Sequence, residues 1–293
     1  MVLLEVAEAS MARRGKIAEN LIAVARPELI ELFLTYQSEA IAARKFLEVS
    51  LVDLDSGAEI LEVGGGILAL AIQLASEGYK VTTVEPVGEG FTGISFIMNV
   101  FSEIARKEKL TFNLIEASIE ECEFNHKFDF IFSINVMEHL KDPYSVLLQM
   151  VRTLKHGGIY RFFCPNYNFP YEPHFGKWLY LRRHKAFYLQ KKRAGSSVVS
   201  VQETLGLYRS LNFITLNNIE EFSKANNVRI DPDNHAFYNL LERVINDHEL
   251  TKRHPGPAKI VDLMSRLNLH FLAKLVPKNV QPVMDVKAFP LQS

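Results

Sequence analysis

The sequence predicts an α/β fold built on a mostly parallel sheet with helices on both faces, preceded by an N-terminal helical segment and carrying a helical and aromatic cap insertion. Three observations predict it. From residue 58 onward, short apolar runs alternate with stretches of helical periodicity, the pattern of consecutive strand-helix-strand units. The first run, Glu59-Ile60-Leu61-Glu62-Val63, ends in Gly64-Gly65-Gly66 and passes straight into a helical pattern. A turn that tight needs glycine, because a side chain would block both the chain reversal and any ligand lying on it. The run Phe128–Ile134 is almost continuously apolar, as a central strand covered on both faces must be.

Bulk properties narrow the class. The 293 residues are 48% hydrophobic and 23% charged, ordinary for a soluble globular chain of one or two domains. A net charge of -1 gives no global attraction for nucleic acid or for an anionic membrane, so any such attraction must come from a local patch. Cys122 and Cys164 lack metal-ligand spacing and argue for a reducing compartment without disulfides. Met1–Ser10 carries Glu5 and Glu8 without a leading basic region, which reads poorly as a signal peptide. No apolar run approaches the roughly 18 residues of a spanning helix. Cytoplasmic residence is the resulting expectation.

Taken in order, residues 1–55 form a helical lid. Ile17, Leu21, Ile22 and Ala25 recur at helical spacing, and Pro27 breaks the pattern before a second helix ending near 53–57. These helices are expected at one edge of a ligand cleft, where Tyr36 is a candidate to close over the ligand. Residues 56–166 form the core, with strands near 58–63, 79–85, 110–116, 128–134 and 158–164 and helices near 67–77, 90–108 and 143–154. Asp142-Pro143 starts the last helix, and Gly157-Gly158 is expected to end it. Residues 167–210 form the cap: prolines 165, 170 and 173 punctuate a stretch rich in aromatics, which would stand over the carboxyl ends of the strands. Residues 211–293 complete the sheet, with a strand at 212–216, a helix at 218–225, a strand at 228–230, helices near 235–249 and 257–275, and an irregular end.

The glycine turn admits two readings. Gly64-Gly65-Gly66-Ile67-Leu68-Ala69 satisfies G-x-G-x-x-A, a dinucleotide fingerprint, with Glu85 in Val84-Glu85-Pro86 as the acid for a ribose. Glu62-Val63-Gly64-Gly65-Gly66 equally satisfies E-x-G-x-G, the first motif of another adenosine-binding family. The downstream residues decide between them. Phe128-Asp129-Phe130-Ile131, Asn135-Val136-Met137-Glu138-His139-Leu140-Lys141-Asp142-Pro143, Arg152–Gly158 and Pro165-Asn166 resemble, in order and spacing, the class I S-adenosylmethionine-dependent methyltransferases. The similarity is to the group containing ubiquinone-biosynthesis and sugar or small-molecule O-methyltransferases, and it covers roughly residues 58–166.

That resemblance implies a Rossmann-like methyltransferase fold with a seven-stranded sheet, and S-adenosyl-L-methionine as cofactor. It implies that Glu62 holds the turn and the methionine ammonium, that the backbone of Gly64, Gly65 and Gly66 lies against the cofactor, and that Glu85, followed by Pro86, takes both ribose hydroxyls. A carboxylate suits that pairing, having two acceptor oxygens and no donor. Ser118 and Ile119 fall where adenine is read, with serine in place of the frequent acid and Glu116 or Glu120 as substitutes. Asn135 would line the methionine end. Leu68 stands where the family often has a third glycine, so it either packs the helix or narrows the pocket. Asn135 also occupies the position of a carboxylate that helps bind metal in some quinone methyltransferases, so no metal is expected.

Methyl transfer needs positioning and a base for the acceptor proton. Histidine titrates near neutrality, and two are candidates. His174, with Tyr171 and Glu172, is assigned proton transfer, and His139, paired with Glu138, the substrate-side wall. The basic residues of Arg182–Arg193, interleaved with Phe187 and Tyr188, form a solvated helix face or an anionic contact. The expected activity is methyl transfer to oxygen on a small-molecule or sugar/glycan-precursor acceptor, with no nucleic-acid partner. A non-catalytic binding module and an NAD-linked dehydrogenase are the alternatives.

Overall fold

Apolar residues on both faces of a strand require cover on both sides, and the strands of this chain are placed accordingly. The computed structural model describes residues 2–87, 92–125, 127–173, 177–178, 211–253 and 255–290. Within it β1 (Glu59–Val63), β2 (Lys80–Val84), β3 (Asn113–Ile115), β4 (Phe128–Ile134) and β5 (Leu154–Pro165) pair in parallel in the order β3-β2-β1-β4-β5. Strand alternation splits the core in two. Leu61, Val63 and Ile131 meet α5 (Pro143–Thr153) on one face, whereas Ile60, Phe130 and Phe132 meet α2 (Ile30–Leu51) and α3 (Ala69–Ser76) on the other. The Asp142 carboxylate caps α5, accepting the N–H groups of Tyr144 and Ser145 at 3.1 and 3.0 Å.

The N-terminal segment folds as expected into α1 (Val2–Ala25), a 3-10 turn at Pro27–Leu29 and α2. Arg14 of α1 is buried and fixes this layer, donating to Glu108 at 2.8 Å and to Gln73 of α3 at 2.7 Å. Next to it, α4 (Thr92–Lys107) contributes Ile97, Met98 and Phe101 to the same core cluster as Phe33.

Several expectations are corrected. α5 stops at Thr153, and Leu154 is already extended, so Gly157-Gly158 does not end a helix. The glycines serve a register shift between β4 and β5 instead: a Cβ on Gly158 would come within 2.9 Å of the Asp129 carbonyl. No strand forms at 212–216. Asn212 closes a local turn, its Oδ1 accepting the Ile214 N–H at 2.9 Å, and α6 (Leu216–Ala225) begins directly behind it. The short strand lies later than expected, as β8 (Ile230–Pro232), and the helix expected over 257–275 ends at Arg266, where a turn leads to a 3-10 segment at His270–Leu275.

The C-terminal region is not irregular. Residues Val283–Ala288 form β9, which runs antiparallel between β5 and β8 and completes a sheet that has seven strands among the described residues. Its register sets Pro165 opposite Val283, so β9 enters the sheet at the carboxyl end of β5. The chain leaves β8 at that same end and returns to β9 through α7 (Ala236–Asn246), α8 (His248–Arg253), α9 (Pro255–Arg266) and the 3-10 segment. Two excursions, 166–215 and 233–282, therefore begin at the carboxyl ends of the strands.

A buried ion pair anchors β9. Arg161 of β5 donates to both carboxylate oxygens of Asp285 at 2.9 and 2.7 Å, and to the Phe46 carbonyl and Ser50 hydroxyl of α2, with its guanidinium 3.7 Å from the Phe46 ring centre.

Candidate cofactor and acceptor site

The glycine turn sits at the carboxyl end of β1, and each glycine answers a different neighbour. Gly64 has φ +85 and its N–H donates to the Val84 carbonyl at 2.8 Å, while a Cβ there would run into the Val136 methyl. A Cβ on Gly65 would overlap the Thr83 hydroxyl. Gly66 has φ +51 and lies under the Tyr36 ring, 3.3 Å from where its Cβ would be. Backbone can approach a ligand here only because side chains are absent.

Two carboxylates flank this turn. Glu62 is buried at the end of β1 and accepts the Thr83 hydroxyl at 2.9 Å. Burial lifts its carboxyl to about 8, with the Thr83 hydrogen bond opposing and the nearby Glu85 charge adding to the rise. Glu85 follows β2, and its Oε2 accepts the Gly66 N–H at 2.9 Å. Burial raises its carboxyl as well, opposed by that hydrogen bond. Tyr36 of α2 is enclosed beside Glu85, and burial together with that charge pushes its hydroxyl up to about 12, so it remains a neutral donor. Helix α2 thus reaches the glycine turn through Tyr36. Pro86 follows Glu85 at the surface.

Leu68 adopts φ +67 at the start of α3 and is wholly buried among Ile67, Ile72 and Phe101. Its side chain packs in the cluster shared by α1, α2 and α4, and its Cδ2 lies 3.4 Å from where a Cβ on Gly65 would be.

Ser118 and Ile119 lie beyond β3. The Ile119 side chain is in the core and its backbone starts a 3-10 turn, while the Ser118 hydroxyl reaches Glu120 at 3.3 Å. Glu120 also accepts the Asp142 N–H at 3.0 Å, which ties it to the start of α5; Glu116 is exposed. Asn135 ends β4 with φ +56, its N–H on the Phe163 carbonyl at 2.8 Å, and delivers Val136 to the glycine turn.

On the acceptor side, the 3-10 turn Met137–His139 buries Glu138 and leaves His139 partly exposed, its Nε2 3.9 Å from Glu138 Oε1. Glu172, buried in the short pair β6 (Tyr171–Glu172) and β7 (Lys177–Trp178), accepts the Tyr167 hydroxyl at 3.1 Å. Burial raises the Tyr167 hydroxyl, and the charges of Glu172 and Glu138 both add to the rise. Cys164, also buried beside Glu138, is raised for the same reasons. Tyr171 is half-buried next to Glu172. His174 and the Arg182–Arg193 run lie outside the described residues, as does most of the 167–210 cap.

Two asparagines hold the site and were not singled out from sequence as functional. Asn212 donates its N–H to the Glu138 carbonyl and its side-chain amide to the Met137 and Leu140 carbonyls at 2.7 and 2.9 Å, clamping the Glu138-His139 turn. Asn166, buried, donates to the Asn279 and Gln281 carbonyls and accepts the Leu216 N–H, joining the roots of both excursions. An asparagine interrupting an apolar run was the available signal, since its side chain competes for backbone groups and favours turns.

A separate cavity of about 490 Å³, lined by Glu59, Tyr79, Lys80, Lys109 and Asn113, opens at the amino ends of β1–β3, the end of the sheet away from the glycine turn. Ligands of open α/β sheets bind at the carboxyl ends.

Comparison with known proteins agrees with this geometry. The family described as Methyltransferase domain matches residues 33–194. An uncharacterised protein of Mycobacterium tuberculosis is 35% identical over 263 residues, covering 89% of this chain and 88% of its own. The ubiquinone biosynthesis O-methyltransferase of Rickettsia akari is 28% identical over 101 residues, 34% of this chain and 38% of the relative. Among solved structures, phosphoethanolamine N-methyltransferase 2 of Haemonchus contortus, in complex with S-adenosyl-L-methionine, has the same fold with a TM-score of 0.52 at 19% identity. That match covers 87% of this chain, which spans about half of the Haemonchus contortus protein at 52%.

Proposed function

The chain belongs to the Methyltransferase domain family as a class I S-adenosylmethionine-dependent methyltransferase, and from that premise we propose that it methylates an oxygen of a small-molecule or sugar/glycan-precursor acceptor in the cytoplasm. The residues at the carboxyl ends of β1 and β2 fit the cofactor. The bare turn Gly64–Gly66 provides close backbone, Glu85 provides carboxylate oxygens for a ribose diol, and buried Glu62 provides a partner for an ammonium. When bound, S-adenosylmethionine supplies a methyl group on a sulfonium, an already activated leaving group. The protein's work is then to align the acceptor and accept its proton.

The observation that carries the acceptor assignment is the Glu138-His139 turn. Buried Glu138 stands 3.9 Å behind a partly exposed imidazole at the carboxyl end of β4, and Asn212 locks the turn from above. The buried carboxylate orients that imidazole as a wall of the acceptor pocket and makes it the second candidate base after His174. The similarity to ubiquinone-biosynthesis O-methyltransferases over the core supports oxygen as the atom methylated. His174 is assigned proton transfer and His139 the wall of the acceptor pocket, with Tyr171 and Glu172 orienting His174.

Calorimetry with S-adenosylmethionine, S-adenosylhomocysteine and NAD tests the cofactor site: both methionine nucleosides bind and NAD does not. Glu85→Ala weakens the nucleosides at least tenfold, and unchanged affinity refutes the ribose assignment. Once an acceptor is found, His174→Ala lowers kcat by about a hundredfold or more at unchanged cofactor affinity. If His139→Ala does so instead, the base is the described His139-Glu138 pair.

A further inference from the structure

The excursion 233–282 has a small core of its own, in which Leu241, Val261 and Ala273 are buried against Phe237, Tyr238, Val244 and Met264. One helical face of α9, through Ala258 and Val261, is thereby satisfied. A second face is apolar and open to solvent. Ile260 is 62% exposed, Leu263 57% and Leu267 58%, at spacings of three and four residues that put them in one stripe, and Phe271 at 52% and Leu275 at 75% follow in the 3-10 segment. Single exposed leucines are ordinary, but a contiguous apolar stripe on a soluble surface marks a contact site.

The charges beside the stripe identify the occupant. At 100° per residue, Lys259 and Arg266 flank the Ile260-Leu263-Leu267 stripe on the side away from the buried face, and both are exposed. Asp262 lies farther round and pairs with Arg266 at 2.9 Å. Across 248–280 the charged residues are Lys252, Arg253, Lys259, Arg266, Lys274 and Lys278 against Glu249 and Asp262 only, a basic segment in a chain whose net charge is -1. A helix with exposed leucines bordered by lysine and arginine lies in the plane of an anionic membrane surface, with its apolar side among the acyl chains and its cations among the headgroups. Among the described residues, no helix is long and apolar enough to cross a membrane.

We infer that α9 and the 3-10 segment behind it dock the enzyme on an anionic phospholipid surface. The docking element belongs to an excursion that leaves and re-enters the sheet at the carboxyl ends of β8 and β5, the end that carries the glycine turn. α7 couples it to the lid: Asp247, just past α7, accepts the Ser38 hydroxyl, and Arg243 pairs with Glu39 at 2.9 Å, within one turn of Tyr36 on α2. The docking element is thereby linked through α7 to the helix that carries Tyr36.

Flotation of the full chain tests this with vesicles of phosphatidylcholine alone and with about 30% phosphatidylglycerol. The protein floats with the anionic vesicles, and raising the salt weakens the binding. Leu263→Asp with Leu267→Asp, at exposed positions that leave the thermal melt unchanged, lowers the partition coefficient about a hundredfold, the effect of two lost leucine burials. Lys259→Glu with Arg266→Glu lowers binding to anionic vesicles at least tenfold, which keeps the inference testable should the first variant fail to fold. Absence of vesicle binding by the wild type overturns it, including the case where light scattering shows a dimer that the leucine variant dissociates. Vesicle binding that a folded leucine variant retains in full also overturns it, because the Arg182–Arg193 run would then be the contact.

Discussion

Replacing Glu62 by glutamine keeps the shape of the side chain and removes its titration. The wild-type carboxyl sits at about 8 in the folded protein, against an ordinary value of 4.5, because burial disfavours its charge more than the Thr83 hydroxyl favours it. The folded state therefore holds this proton more tightly than the unfolded chain. The stability that this proton contributes is complete below pH 4.5 and is lost progressively as pH rises through the folded value. Integrating between those two values gives a loss of roughly 2–3 kcal/mol from pH 5 to pH 7, and a smaller further loss by pH 9. Glu62→Gln lacks this loss. Urea unfolding of both proteins at pH 5, 7 and 9 isolates it, since every other group titrates in both. The wild type should fall relative to the variant by that amount, mostly below pH 8. Parallel profiles refute the buried, protonated Glu62. In the same proteins, S-adenosylmethionine binding at pH 7 should release close to one proton from the wild type and none from the variant, seen as a buffer-dependent enthalpy by calorimetry.

Leu68 allows a reversal of the usual residue order. Leu68→Ala loses about 2–5 kcal/mol of core burial while keeping a left-handed backbone that alanine tolerates poorly. Leu68→Gly loses the same contacts but relieves about 1 kcal/mol of backbone cost, so the glycine variant should unfold at higher urea than the alanine variant; the opposite order refutes the strain. Arg161→Met leaves Asp285 buried without its cation and should cost about 3–5 kcal/mol, whereas adding Asp285→Leu should recover most of it; a double variant no better than the single one would show that the pair is not the cause. Tyr36→Ala should weaken S-adenosylhomocysteine about tenfold and Tyr36→Phe far less, because the ring lies against Gly66; equal effects would shift the role to the hydroxyl.

The parallel core was legible because each of its signals is local. The Gly64–Gly66 turn, the run Phe128–Ile134 and the Asp142-Pro143 cap each state their conformation within a few residues. β9 was not legible. Val283-Met284-Asp285-Val286-Lys287-Ala288 puts an acid in a fully covered strand, which reads as a surface segment until Arg161, distant in sequence, supplies the countercharge. The strand expected at 212–216 failed for the converse reason: Ile214 and Leu216 are buried, but Asn212 spends its backbone N–H and amide on the carbonyls of Glu138, Met137 and Leu140 rather than on a neighbouring strand. At the site, Glu62, Glu85 and the glycines could be named from spacing. Their mutual contacts through Thr83 and Gly66, and the reach of Tyr36 from another layer, arise only from tertiary packing.

The amide knot at Asn166 has a consequence for how acceptor specificity can change. Its hydrogen bonds tie the end of β5 to Asn279, Gln281 and Leu216, and Gln281 in turn holds the start of α7 by accepting the Phe237 N–H at 3.0 Å. The connections between these fixed points are long, and the sheet closes beneath them through β9. Segments 167–211 and 238–278 can accordingly be exchanged as cassettes between related chains, with Asn166, Asn212 and Gln281 retained as the splice points. A library built on those boundaries would vary the acceptor region around an unchanged Glu62, Gly64–Gly66 and Glu85, with Arg243 and Asp247 kept to hold Glu39 and Ser38 of α2.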